Sequence, residues 1–224
     1  MGFKRTILPE ELPRGEQLSG DLAGIGMLVA TTPSKSPNIE NTVFAASIEG
    51  INSDLRTLSL LVDWIDLHSD RLNADRLIKM IKENSNERVR CFWKAIAQWK
   101  KKDMRLKRLV RFYRGQRLDL LESGTEFLIK RKGEDDRFEG TCLRVPNETL
   151  RHRPTDILAP EELAKVHDAY RQRIMIGPSY RADMWAHLER TGAISASELA
   201  RKAFGSFATA WQVLRDWSIL RSTK

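Results

Sequence analysis

Between residues 41 and 113 apolar side chains recur at helical spacing almost without interruption. A period of three to four residues sustained this long admits few folds other than packed helices. Val43, Phe44 and Ile48 open the series, with Ile51 just beyond. Leu55, Leu58, Leu60, Leu61, Trp64, Ile65 and Leu67 then form one broad stripe, with Ser53 placed to cap it. Asn73 begins a third segment with Leu77, Ile78 and Ile81 inward, and Val89, Phe92, Trp93, Ile96 and Trp99 make a fourth. Leu106, Leu109, Val110 and Phe112 complete it. Short polar turns separate these pieces, so residues 39–115 read as a helical bundle and the chain as mainly α. No fixed-period repeat is visible.

The flanking regions lack this regularity. Residues 1–38 carry Pro9, Pro13, Pro33 and Pro37 and read as an N-terminal arm, ordered by packing on the rest of the chain or by a partner. Residues 116–177 read as a mixed α/β connecting segment. Its short apolar runs at 117–122, 126–133 and 137–146, punctuated by glycine-containing turns, suggest strands of a small hairpin or meander. Pro160 suits the first turn of a helix covering 161–173, and 174–177 suggests one more strand.

The last region, residues 178–224, contains a helix beginning after Pro178 and ended by Gly192, then the stretch SASELARKAFGSFATAWQVLRDW. Ser195 and Glu198 form a capping box, Phe204 and Gly205 make a tight turn, and Ser206 is placed to cap the next helix. In that helix Phe207, Ala210, Trp211, Leu214 and Trp217 read as the buried stripe. Trp185 reads as core as well. Ser206, Thr209, Gln212 and Arg215 then lie opposite, where a recognition helix needs small or hydrogen-bonding residues to meet base edges. Arg201 and Lys202 close the preceding helix within reach of phosphates.

This Ser-x-x-Glu-Leu-Ala-Arg segment, turn glycine and helix ending Leu-Arg-Asp-Trp resembles the helix-turn-helix of winged-helix transcription regulators. MWAHLERTGAIS resembles their first helix and short strand, and the match spans roughly residues 180–219. It implies a winged-helix-like three-helix domain that reads double-stranded DNA. Only SILRSTK follows Trp217, room for one strand, so wing contacts do not carry over. More loosely, such a domain beside an all-α half resembles bacterial regulators and abortive-infection-type antitoxins.

Charge points the same way. The chain of 224 residues has a net charge of +8, and the segment from Arg88 to Arg117 holds twelve lysines and arginines against the single acid Asp103. Cations so concentrated gain by releasing counterions from phosphates. Lys101, Lys102 and Arg105 are its candidate backbone contacts. A solvated helix surface is the alternative reading. The expected activity is that of a cytoplasmic DNA-binding regulator or antitoxin-like repressor, acting as a homodimer. A toxin is the protein partner that the antitoxin-like reading implies, and the alternative is an adaptor whose winged domain and basic helices hold an acidic protein, a complex subunit. No apolar run suits a membrane span, and MGFKRTILPEELPRGEQ has no apolar stretch of a secretory signal. Cys91 and Cys142 read as reduced thiols without metal-ligand spacing.

Enzyme signals are thin, and neither cofactor nor metal is expected. No phosphate-binding glycine loop, HExxH or nucleophile elbow occurs. Asp63, Asp66, His68 and Asp70 cluster within DWIDLHSD and read as surface charge. Arg181 and His187 match the loose Arg–His spacing of one class of helical ribonucleases, but they fall on the first helix of the winged-helix candidate.

Overall fold

The computed structural model describes residues 8–222, and they are mainly helical. The first seven residues of the expected arm and the last two of the C-terminal region lie outside that span. Four helices build the body: α2 (Ile39–Asn52), α3 (Leu55–His68), α4 (Ala74–Glu83) and α5 (Glu87–Trp99), preceded by α1 (Gly15–Gly24). Each of the four begins where a short polar side chain satisfies a free amide. Asn38, Asp54, Asn73 and Asn86 are those caps, so the cap of α3 is Asp54, one residue after Ser53. A Cβ on Gly50 would lie 2.8 Å from that of Leu58, so this glycine permits the close approach of α2 and α3. Trp64, Trp93, Phe92 and Leu58 are fully buried at the centre.

The expected arm is part of this core. Leu18, Leu22, Ile25 and Met27 are buried in it, and the Ile25 carbonyl accepts the Trp64 indole N–H at 2.8 Å. Met27 pairs with Ile157 in an antiparallel bridge that ties the N-terminal segment to the far end of the connecting region. Four residues spaced i, i+4, i+7 and i+9 suffice for a helix and its exit, too short a run to stand out among prolines.

The connecting region departs from the expected meander. β1 (Leu118–Asp119) and β2 (Leu143–Arg144) pair in parallel, and residues 126–133 are not a strand but lie largely within α6 (Thr125–Lys132). A parallel pair needs a crossover, which α6 helps supply. Gly124 and Gly133, at φ of 76° and 80°, bound it, Glu126 lies in its first turn and Lys130, Arg131 and Lys132 in its last, matching the helix dipole. Phe127 is exposed, so the run that looked like a strand buries little. The helix expected after Pro160 is two, α7 (Pro160–Val166) and α8 (Asp168–Ile176), and the strand expected at 174–177 is the last turn of α8.

The C-terminal region is α9 (Tyr180–Thr191), α10 (Ala196–Lys202) and α11 (Phe207–Ser222). It has its own small core of Met184, Leu188, Leu199, Ala200, Ala203, Ala210 and Val213. Among the described residues no strand follows α9, and α11 continues as helix through residue 222 where one strand of a wing was expected. This is a bare three-helix unit.

Two buried histidines and one buried arginine lock the parts together. His68 Nε2 donates to the Leu158 carbonyl at 3.1 Å, which leaves Nδ1 to accept the Tyr170 hydroxyl at 2.6 Å. His167 donates from Nε2 to the Pro37 carbonyl at 2.9 Å and accepts the Tyr170 amide at Nδ1. Both rings must therefore be neutral, and burial holds each down to about 4. Unfolded histidines take a proton near pH 6.5 and these do not, so stability is full above that pH and falls as pH drops toward 4. Lowering the pH from 7 to 5 should cost about 2 kcal/mol per histidine, read as a falling denaturant midpoint. A midpoint constant over that range would contradict the buried neutral assignment.

The arginine is Arg173 of α8. It grips Glu40 of α2 with two bonds of 2.6 and 2.8 Å and Asp183 of α9 with two of 2.8 and 3.0 Å, and also donates to the Arg71 carbonyl. Burial alone would push Glu40 up, but the charge of Arg173, then that of Arg76, holds it below the usual carboxylate range. Asp183 is pushed up by burial despite the same partner. Arg173→Met strips Asp183 of its partner, leaves Glu40 only Arg76 and the Asn73 amide, and should destabilise by about 3–5 kcal/mol in chemical denaturation. A loss below 1 kcal/mol, within the range of a surface change, would remove the network from the structural core.

Candidate nucleic-acid interface

α11 is held to its unit by one face. Ala210 and Val213 are fully buried, and Leu214 and Trp217 pack beside them, with Trp217 5.5 Å from the Trp185 ring. Phe207 and Trp211, expected in the buried stripe, are 52% and 53% exposed. Stripes starting at 207 and at 210 share Ala210, Leu214 and Trp217, and the packing chose the one that includes Val213. That valine, at i+3 from Ala210 and i−4 from Trp217, was the signal in the sequence.

The turn before α11 is unusual. Phe204 adopts a left-handed conformation at φ 54°, and a Cβ on Gly205 would meet the Met184 methyl at 2.4 Å, so a larger residue there requires that side chain to move. The ring of Phe204 lies 3.5 Å from the guanidinium of Arg76, a buried residue of α4. The turn is thus seated on the body. Ser206 caps α11 by accepting the Thr209 amide at 2.9 Å, and the two hydroxyls bond each other at 2.7 Å. Thr209 is half-buried with its hydroxyl engaged, whereas Ala208, Gln212 and Arg215 are exposed on the outer face with Phe207 and Trp211. Arg215 lies 5.7 Å from the Trp211 ring. Arg201 and Lys202 are exposed at the end of α10, where Ser195 caps the first turn. Arg181 pairs with Asp216 of α11 at 2.8 Å while His187 is buried, so the ribonuclease-like pair does not converge.

The basic stretch divides into two sets. Arg88, Arg90, Lys94 and Arg117 donate to backbone carbonyls of Leu120, Lys82, Tyr113 and Thr141. Lys100 pairs with Asp66 and Arg108 with Asp75. Arg105 is half-buried, bound to Asp103 and to the carbonyls of Ser69, Asp70 and Leu72, so it clamps the α3–α4 connection. Lys101 and Lys102 are exposed, as are Lys107, Arg111 and Arg114.

DWIDLHSD does not assemble a site. Asp63, expected at the surface, is buried and holds Arg137 at 3.0 Å, His152 Nδ1 at 2.8 Å and the Arg153 amide at 2.6 Å. His68 faces Tyr170 and Leu158 instead. Among the described residues no group of three or more His, Cys, Asp or Glu is arranged to hold a metal ion. Cys91 and Cys142 are buried free thiols with sulfurs 3.4 Å apart. No described helix is long and apolar enough to cross a membrane. No protein-family model, curated protein or solved structure matches the chain.

The geometry of α11 reverses one expectation for mutants. Trp211→Ala should shift stability by under about 1 kcal/mol, because half of the ring already faces water. Leu199→Ala, at a fully buried position, should cost about 2–5 kcal/mol. Thermal denaturation of the two variants separates the packing assignments, and a Trp211→Ala loss as large as that of Leu199→Ala would restore the first stripe.

Proposed function

We propose that the protein is a non-enzymatic DNA-binding regulator, or antitoxin-like repressor, that meets duplex DNA through α11 of a helix-turn-helix. The observation that carries this reading is the one-sided attachment of α11. Its buried contacts run through Ala210, Val213, Leu214 and Trp217, while Ala208, Gln212 and Arg215 face outward. Small Ala208 lets the backbone approach a groove, Gln212 offers an amide that pairs in two directions with adenine, and Arg215 suits guanine or a phosphate. Arg201 and Lys202 lie on the helix that would cross the backbone, and Lys101 and Lys102 add cationic surface on the body. Thr209, engaged with the cap, positions the helix rather than reading bases, and Arg105 supports the loop carrying Lys101 and Lys102. A homodimer would present two copies of α11 to two half-sites.

A second reading rests on Phe207 and Trp211. Two half-exposed aromatics beside an arginine have the composition of a protein-binding hot spot, which favours an adaptor that holds an acidic protein partner.

Fluorescence anisotropy with selected and random duplexes tests the first reading. Affinity should fall with salt at a slope near −0.9 per phosphate neutralised. Changing Lys101 and Lys102 to Glu should weaken all duplexes alike, whereas Gln212→Ala should cost about 1–3 kcal/mol of discrimination for the preferred site only. If the wild type selects no motif and binds without salt dependence, α11 does not read DNA and the adaptor reading stands.

A further inference from the structure

A cavity of about 180 Å³ lies where the C-terminal unit meets the body. Its walls come from four places: Ser36–Ile39 before and at the start of α2, the first turn of α8, α9 through His187 and Arg190, and Lys202 with Ala203 at the end of α10. The N-terminal ends of α2 and α8, 14 and 9 residues long, both reach it, and helix starts carry partial positive charge. His187 is 9% exposed, and its Nε2 has no hydrogen-bond partner among the described residues. Nδ1 is 3.5 Å from a guanidinium nitrogen of Arg190, a pure donor, which puts the ring proton on Nε2. The unpartnered group is therefore a buried donor.

We propose that this cavity binds a small phosphate-type oxyanion, accepting the His187 Nε2–H and lying between Arg190 and Lys202. Buried donors are rarely left unmet, and this one lies in a positive field. The acids nearby are already engaged, Glu198 with Lys202 itself at 3.4 Å. Both oxygens of Asp183 are on Arg173, and Asp168 pairs with Arg171 at 3.6 Å and accepts from Ser36. Burial, then the charges of Arg190 and Lys202, hold His187 below its ordinary value against the opposing charge of Glu198. The cavity has room for a phosphate ion or the phosphate of a small monoester. The bound anion links α9 and α10 to α2 and α8, so it strengthens the docking of the three-helix unit whatever that unit binds.

The imidazole nitrogens of His187, observed by 15N NMR while sodium phosphate replaces sodium chloride at constant ionic strength, report the contact directly. A saturable shift of Nε2 is expected, together with a rise in Tm. Phosphate also stabilises proteins by exclusion from their surface, and that part persists in every variant. Arg190→Ala/Lys202→Ala, at two exposed positions, should weaken the saturable shift at least about tenfold, the loss of a charge-assisted contact. His187→Gln, which restores a donor, should bind better than His187→Leu. Displacement of phosphate by glycerol phosphate assigns the site to monoesters, its failure assigns it to the free ion, and either supports the proposal. It is overturned if Nε2 does not shift saturably, if the double variant shifts as the wild type does, or if only duplex DNA moves the resonance.

Discussion

The guanidinium of Arg173 is the contact on which the arrangement of the molecule depends. It is buried between Glu40 of α2 and Asp183 of α9, and no other described side chain bridges the body and the C-terminal unit through two buried carboxylates. Burying such charges is costly, and partial pairing would be worse than none. All four acid–base bonds are therefore made at once, which selects one orientation of α9 against α2. Arg76 adds the second point of attachment, with one face on Phe204 and a guanidinium bond to Asn41. The three-helix unit is seated through the start of α9 and through the turn that leads into α11.

That seating shapes what α11 is able to do. Because the turn rests on Arg76, the N-terminus of α11 stands close to the body, and a ligand approaching Ala208 and Gln212 meets the outer face rather than the turn. In this arrangement the DNA reading and the adaptor reading concern the same surface and differ in which of its residues dominates: Gln212 and Arg215, or Phe207 and Trp211. The oxyanion cavity lies at the same junction and uses Lys202, a residue within reach of the proposed backbone contact. Occupancy of the cavity and engagement of α10 with a polyanion therefore compete for one ammonium group.

Much of the helical architecture was legible. The stripes of α2 to α5 sit where the apolar period puts them, save Leu55 and Leu67 near the two ends of α3, which are exposed, because those helices each bury one broad face in a common core. Gly192 ends α9 and Ser195 caps α10 as their local chemistry dictates. The candidate site was legible only in part. Arg201, Lys202, Gln212 and Arg215 are exposed at helix positions suited to a partner, whereas Thr209 and Arg105 are engaged within the fold. His187, Arg190 and the Arg76–Phe204 contact carry no local signal, since their partners are distant in the chain.

Sequence alone determined that α2 to α5, α9 and α10 form, because caps, glycines and a 3.6-residue period act over a few neighbouring residues. It also determined that cations crowd the segment from Arg88 to Arg117. Tertiary structure decided which cations remain free, since helix-terminal carbonyls such as those of Ser69 and Asp70 draw Arg105 inward. It decided that residues 126–132 coil, because two short parallel strands need a crossover more than the sheet needs a third member. It also chose between two overlapping stripes on α11, turning Val213 inward and Trp211 out, because the small core built on Leu188 and Leu199 accepts only one of them.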